Sequence, residues 1–166
     1  MWTLGFLILS VLCFVVALLI DGRCIQYVIV VLSAIRVFEY FVYLFWVVLF
    51  ARPNKGLKDI RSYRRSLLLL MCNFVETVFW FATWYSVLAH KGLLTAGSPW
   101  GLTLLRESLV LMVGNSTGGV VFVAAPSLFV ATLQVAMGLF MTLVIVSRMI
   151  SLLPRPTSAD PDEQEQ

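Results

Sequence analysis

Four apolar tracts decide what this chain can become: residues 3–20, 25–51, 66–89 and 127–153 each run for close to twenty residues or more with few charges. As helices rising roughly 1.5 Å per residue, tracts of this length match the ~30 Å hydrocarbon core of a bilayer. A single soluble core fails on area. In a chain of 166 residues that is 60% hydrophobic and 13% charged, too much apolar surface would be left in water. The fold expected is an all-α membrane protein with four transmembrane helices.

The links between the tracts set the orientation. Arg52, Lys55, Lys58, Arg61, Arg64 and Arg65 crowd the link between the second and third tracts, whereas the first link, Asp21-Gly22-Arg23, is nearly neutral. Cytoplasmic loops collect lysine and arginine, so the basic link belongs in the cytoplasm, and four spans then put both termini there. Residues 1–20 have no basic side chain near Met1 and no small-x-small pattern after the apolar run, so they read as a permanent helix rather than a cleaved signal. The chain divides into a two-helix hairpin (1–51), a basic linker (52–65), a membrane module (66–153) and an acidic disordered tail (154–166). Leu57, Ile60 and Tyr63 recur at helical spacing within the linker, as in a short interfacial helix or a plain topological anchor.

Several function classes find no residues here. Cys13, Cys24 and Cys72 have no CxxC spacing, and His90 has no second histidine to complete a metal site. The cations serve topology and form no nucleic-acid signature. With no nucleophile–base pair or paired catalytic carboxylates on the polar side of any span, the chain is not expected to be an enzyme and calls for no cofactor.

A fifth, shorter apolar segment lies between Pro99 and Met112. As a helix (99–112) it would reach on the order of 20 Å, too short to cross and the length of a re-entrant segment. Ser98 can cap its free N–H groups and Pro99 suits its first position. The run that follows, Val113-Gly114-Asn115-Ser116-Thr117-Gly118-Gly119, offers closely spaced carbonyls and hydroxyls. Non-helical backbone at membrane depth is tolerated only against protein or a watery cavity, where such groups can replace water around a cation. A glycine-rich extracellular turn is the other reading of the same residues.

The order short helix, glycine-rich loop, helix over 98–153, preceded by a looser likeness over "YRRSLLLLMCNFVETVFWFATWY" in the third tract, resembles the pore domain of tetrameric potassium channels, notably prokaryotic proteins of the two-transmembrane type, with two extra N-terminal helices. The last tract, "LQVAMGLFMTLVIVSRMISLL", resembles the family's inner helix with its mid-span glycine at Gly138. The family's Thr-x-Gly-Tyr-Gly-Asp filter is absent. One alignment matches Val113-Gly114 to the family's Val-Gly; the preferred one matches the whole run from Gly114 to Gly119, with Ser116 for the first filter glycine, Thr117 for the tyrosine, Gly118 for the second glycine and Gly119 for the aspartate. The resemblance implies a homotetrameric cation channel in a prokaryotic plasma (inner) membrane, permeant to monovalent cations such as K+ or Na+, while the departure from the family's filter implies either a wider, weakly selective opening or a collapsed, silent one. Residues 113–119 would form the outer constriction, and Gln134, Gly138 and Thr142, which repeat every four residues, would line the cavity. The alternative is a non-conducting, channel-like scaffold or auxiliary subunit that has lost the filter.

Charges also lie inside the spans. Arg36 and Glu39 fall midway along the second tract and Glu76 inside the third, at comparable depths from the basic linker. An ionised group there costs roughly 2.5–3.5 kcal/mol on insertion scales, so a cluster is expected. It is either a structural bridge between the two spans or a proton-responsive element centred on Glu76.

Overall fold

The structure, a computed structural model, describes residues 2–20, 22–50, 60–97 and 100–150. Residues 51–59 of the basic linker, the cap residues Ser98 and Pro99, and the tail from 151 onward lie outside the described residues. Five helices form: α1 (Trp2–Leu19), α2 (Arg23–Phe50), α3 (Ile60–His90), α4 (Trp100–Leu111) and α5 (Ala125–Ile150). Among the described residues three helices are long and apolar enough to cross a membrane, through Arg23–Tyr43, Leu67–His90 and Ala125–Ser147. The mostly helical, membrane-type architecture matches the expectation, but three such helices stand where four were expected. The apolar stretch of α1, Thr3–Leu19, sits at the lower limit of about 17 residues for a span. Residues 60–65, assigned to the linker from sequence, are the first turns of α3.

The central element is α3, because its small and aromatic residues let every neighbour approach. Trp80, Phe81, Ala82, Thr83, Tyr85 and Ser86 are all fully buried. On one side Phe14 meets Phe79 edge-on at 6.1 Å and Ser86 Oγ donates to Ala17 O at 2.9 Å, so α1 and α3 run in the same direction. On another, Lys91 lies over the Tyr27 ring at 4.7 Å, Trp84 Nε1 donates to Ser33 Oγ and Arg36 reaches Glu76, so α2 runs antiparallel to α3. The opposite face of α2 exposes Val28, Val31, Ile35, Phe38 and Val42, an apolar stripe suited to lipid.

Glycines terminate two of the helices. Gly92 has φ 68° and Gly114 φ 80°, the left-handed conformation that a residue with a Cβ resists. At each, two N–H groups fold back on the last turn: Gly92 to Ala89 and Leu93 to Leu88, and likewise Gly114 to Leu111 and Asn115 to Val110. This double bond is the Schellman stop signal.

Two strands absent from the sequence expectation, β1 (Leu94–Ala96) and β2 (Val120–Phe122), pair antiparallel with Thr95 opposite Val121. The ladder is prolonged by Gly97 N–H to Gly119 O at 3.2 Å and by Val123 and Ala124 N–H groups to Leu93 O. It ties the end of α3 to the start of α5 and closes the base of everything between them. Residues 97–119 therefore leave and return at one place.

Candidate functional site

The segment closed by that ladder, α4 and the turn after it, carries most of the residues singled out from sequence. Its N-terminal end sits at the ladder, where a Cβ on Gly101 would be 3.2 Å from the Leu18 side chain at the end of α1. Its C-terminal end lies deep along both neighbours. Ser108 Oγ donates to Val78 O at 2.7 Å on α3, and Gln134 Nε2 donates to Ser108 O at 2.7 Å and to Ser108 Oγ at 2.8 Å from α5. Tyr85 OH completes this buried chain by donating to Gln134 Oε1 at 2.5 Å. One turn further on, the backbone of Met112 packs directly on Gly138. At roughly 1.5 Å per residue, Gly138 lies about 20 Å from the start of α5 and Val78 about 18 Å from the end of α3, and α4 is itself about 18 Å long. The three lengths agree.

From that point the chain returns to β2 through Val113–Gly119. Val113, Gly114, Asn115, Ser116 and Gly118 are exposed, whereas Thr117 and Gly119 are half-covered against α4. What holds the return segment is Glu107, fully buried on α4. Ser116 Oγ donates to its Oε1 at 2.5 Å, and both the N–H of Thr117, at 3.2 Å, and the Thr117 hydroxyl donate to its Oε2. The two hydroxyls in turn accept from the backbone, Ser116 Oγ from Gly118 N–H at 3.3 Å and Thr117 Oγ1 from Gly119 N–H at 3.4 Å. Glu107 was not singled out from sequence. The signal was present, as an acid in an apolar helix of a membrane chain, but only the fold shows what it faces.

Of the three residues expected on one face of α5, Gln134 and Gly138 are turned to α3 and α4 within the chain, with Gln134 wholly buried. Thr142 is exposed, and its hydroxyl donates to Gly138 O at 2.9 Å.

The expected charge cluster comes together and is larger than sequence indicated. Arg36 Nη1 donates to Glu39 Oε2 at 2.5 Å and Arg36 Nε to Glu76 Oε1 at 3.3 Å. Glu76 has no exposure, while the Glu39 side chain is 55% exposed. Tyr40 OH donates to Glu76 Oε2, Trp80 Nε1 donates to Glu76 Oε1 at 3.1 Å, and Arg36 Nη2 donates to Tyr40 OH at 3.2 Å. The guanidinium also lies 3.6 Å from the centre of the Phe6 ring, a cation–π contact that brings α1 into the cluster. Tyr40 is one turn from Arg36 and Trp80 one turn from Glu76, so each ion is braced from its own helix. This arrangement clamps three helices and gives partners to the buried Glu76 and the partly exposed Arg36.

Against known proteins, no family model, no curated protein and no solved structure matches the chain.

Proposed function

We propose that this chain is the protomer of a membrane cation channel of the potassium-channel type, a homotetramer in which α4 dips into the bilayer as a re-entrant pore helix and Val113–Gly119 face the shared axis. The observation that carries this reading is the exposure of Gly114, Asn115 and Ser116 at the inner end of α4, about 18 Å from the ladder at roughly 1.5 Å per helical residue. Polar backbone at that depth is not compatible with lipid, where each unpaired group costs several kcal/mol, and is sustained by protein or by a water-filled cavity. A ring of copies supplies both, and one loop is only one part of such a ring.

Further support comes from α1, which packs on α3 through Phe14 against Phe79 and Ala17 against Ser86 and acts as a short fourth span. Four spans place both termini and the basic link on the cytoplasmic side and the β1–β2 ladder outside. Monovalent cations, K+ or Na+, are the permeant species, and a loop of Asn, Ser and Thr in place of the family's filter sequence favours weak discrimination between them.

Reconstitution of the purified oligomer in planar bilayers tests this. Cation current with subunits arranged around an axis lined by 113–119 is the expected result. An oligomer of that geometry without flux at any voltage or pH assigns the chain to the non-conducting scaffold, and a loop lying outside the bilayer or far from any axis removes both.

A further inference from the structure

Resting on that reading, and deepening it, we infer that Glu107 is the positioning residue of the return segment: from behind, its carboxylate draws the N–H groups of residues 117–119 to one side and so turns the carbonyls of Ser116, Thr117 and Gly118 toward the conduit. The bonds run in one direction. Thr117 N–H reaches Glu107 directly, while the N–H groups of Gly118 and Gly119 reach it through the Ser116 and Thr117 hydroxyls, whose own hydrogens point at the carboxylate. In a planar trans peptide the C=O points opposite to the N–H of the next residue, so three amides facing α4 put three carbonyls on the far side.

Strand backbone does not do this, since its successive N–H groups alternate in direction. Consecutive N–H groups converge on one anion when right- and left-handed residues alternate, the backbone nest. Gly118 supplies a left-handed residue, at φ 69° with open space around it. Here the three N–H groups meet Glu107 Oε2 and the two hydroxyls bound to Glu107, so the nest geometry is completed by side chains of the same protein. Burial matters too: Glu107 has no exposure and forms no ion pair among the described residues, and it accepts three hydrogen bonds from the loop. Arg106, its neighbour in sequence, is exposed on another face of α4.

The test uses the full-length protein in lipid nanodiscs and bilayers, with Glu107→Gln and Thr117→Val. Gln keeps the shape but replaces one accepting oxygen with a donor; Val keeps the branch and removes one hydroxyl. Amide hydrogen exchange at 117–119, referenced to amides of α5, and the K+/Na+ reversal-potential ratio are read together. Glu107→Gln is expected to speed exchange at 117–119 about tenfold or more, the loss of charge-assisted bonds, with α5 unchanged and the ratio shifted. Thr117→Val moves both in the same direction by less, and the double variant falls short of the sum of the two, because both remove the bond from the Thr117 hydroxyl to Glu107. Exchange at 117–119 equal to wild type in either variant, or effects that simply add, overturns the inference. Should Glu107→Gln fail to assemble, Thr117→Val decides by itself. A wild-type protein that passes no current leaves the exchange result to judge Glu107, whereas a conducting protein with unaltered exchange rejects Glu107 and keeps the channel.

Discussion

Gly138→Ala is the most direct probe of how deep α4 penetrates. A Cβ at this position would stand 2.7 Å from both the carbonyl carbon and the Cα of Met112, and closer still to its oxygen. Carbon atoms in contact settle at about 3.5–4.0 Å, so the end of α4 has to retreat by about 1 Å. The obstacle is backbone, not the tip of a flexible side chain. It is also held on both sides, by the Gln134–Ser108–Val78 bonds and by the Gly114 stop. Overpacking a closely packed site costs about 1–3 kcal/mol, and a pinned backbone belongs at the top of that range or beyond. Alanine returns about 1 kcal/mol of helix propensity, which leaves a net loss of about 2 kcal/mol. For a chain of this size that is a fall in melting temperature of about 4–8 °C. Tryptophan fluorescence during heating of the purified protein in nanodiscs reads it. Gly5→Ala in α1, where nothing lies within 4 Å of the added Cβ, is the comparison and is expected to melt at or above wild type. A Gly138→Ala protein that melts no lower than Gly5→Ala would mean that α4 does not reach the middle of α5.

Three further outcomes follow from the same geometry. Gly118→Ala should disturb conduction and assembly more than Gly119→Ala: the first forces a Cβ into a left-handed backbone at about 1–2 kcal/mol, whereas the second meets Thr103 Cγ2 at 3.1 Å and needs only a small shift. Equal tolerance at both would count against the register in which Gly118 holds the place of a filter glycine. Glu76→Ala strips the acceptor from Arg36 Nε, Tyr40 OH and Trp80 Nε1 and is expected to cost about 3–5 kcal/mol in thermal unfolding, with Glu76→Gln costing less; a Glu76→Ala protein as stable as wild type would show that these bonds carry no weight. Gln134→Leu leaves the buried Tyr85 hydroxyl without its acceptor, at about 1–3 kcal/mol. Adding Tyr85→Phe to Gln134→Leu should recover part of this, and a double variant no more stable than Gln134→Leu alone would place Tyr85 outside the network.

What sequence made legible is what is local. Apolar length placed four of the helices within a few residues of their observed ends, apart from the early start of α3 at Ile60, and a short apolar run followed by glycines placed the fifth, expected over 99–112 and found over Trp100–Leu111. The glycine run that starts at Gly114 marked the end of that helix, where Gly114 takes a left-handed backbone. The β1–β2 ladder was not legible: three residues are too few to show an alternating pattern, and the partners lie on either side of α4. In the charge cluster Arg36, Glu39 and Glu76 were found because an ion in an apolar tract is conspicuous, while Tyr40 and Trp80 look like two more aromatics in a membrane helix. Glu107 was missed for the opposite reason. Its partners Ser116 and Thr117 were assigned outward to the conduit, and nothing in the sequence says that their hydroxyls turn back.

The polar groups along α2, α3, α4 and the turn after α4 fall into two kinds, those paired inside the chain and those left exposed. Arg36 with Glu76, and Tyr85 with Gln134 and Ser108, find their partners inside one chain, so they hold α1 to α5 together whether or not a second copy is present. Asn115 and the backbone around Gly114 and Ser116 remain exposed although α4 carries them far from its entrance. Lipid is a poor neighbour for them, and the apolar stripe of α2 has no such requirement. The interior networks thus set the stability of the chain, and on the proposed channel reading the return segment is met by water and by other copies.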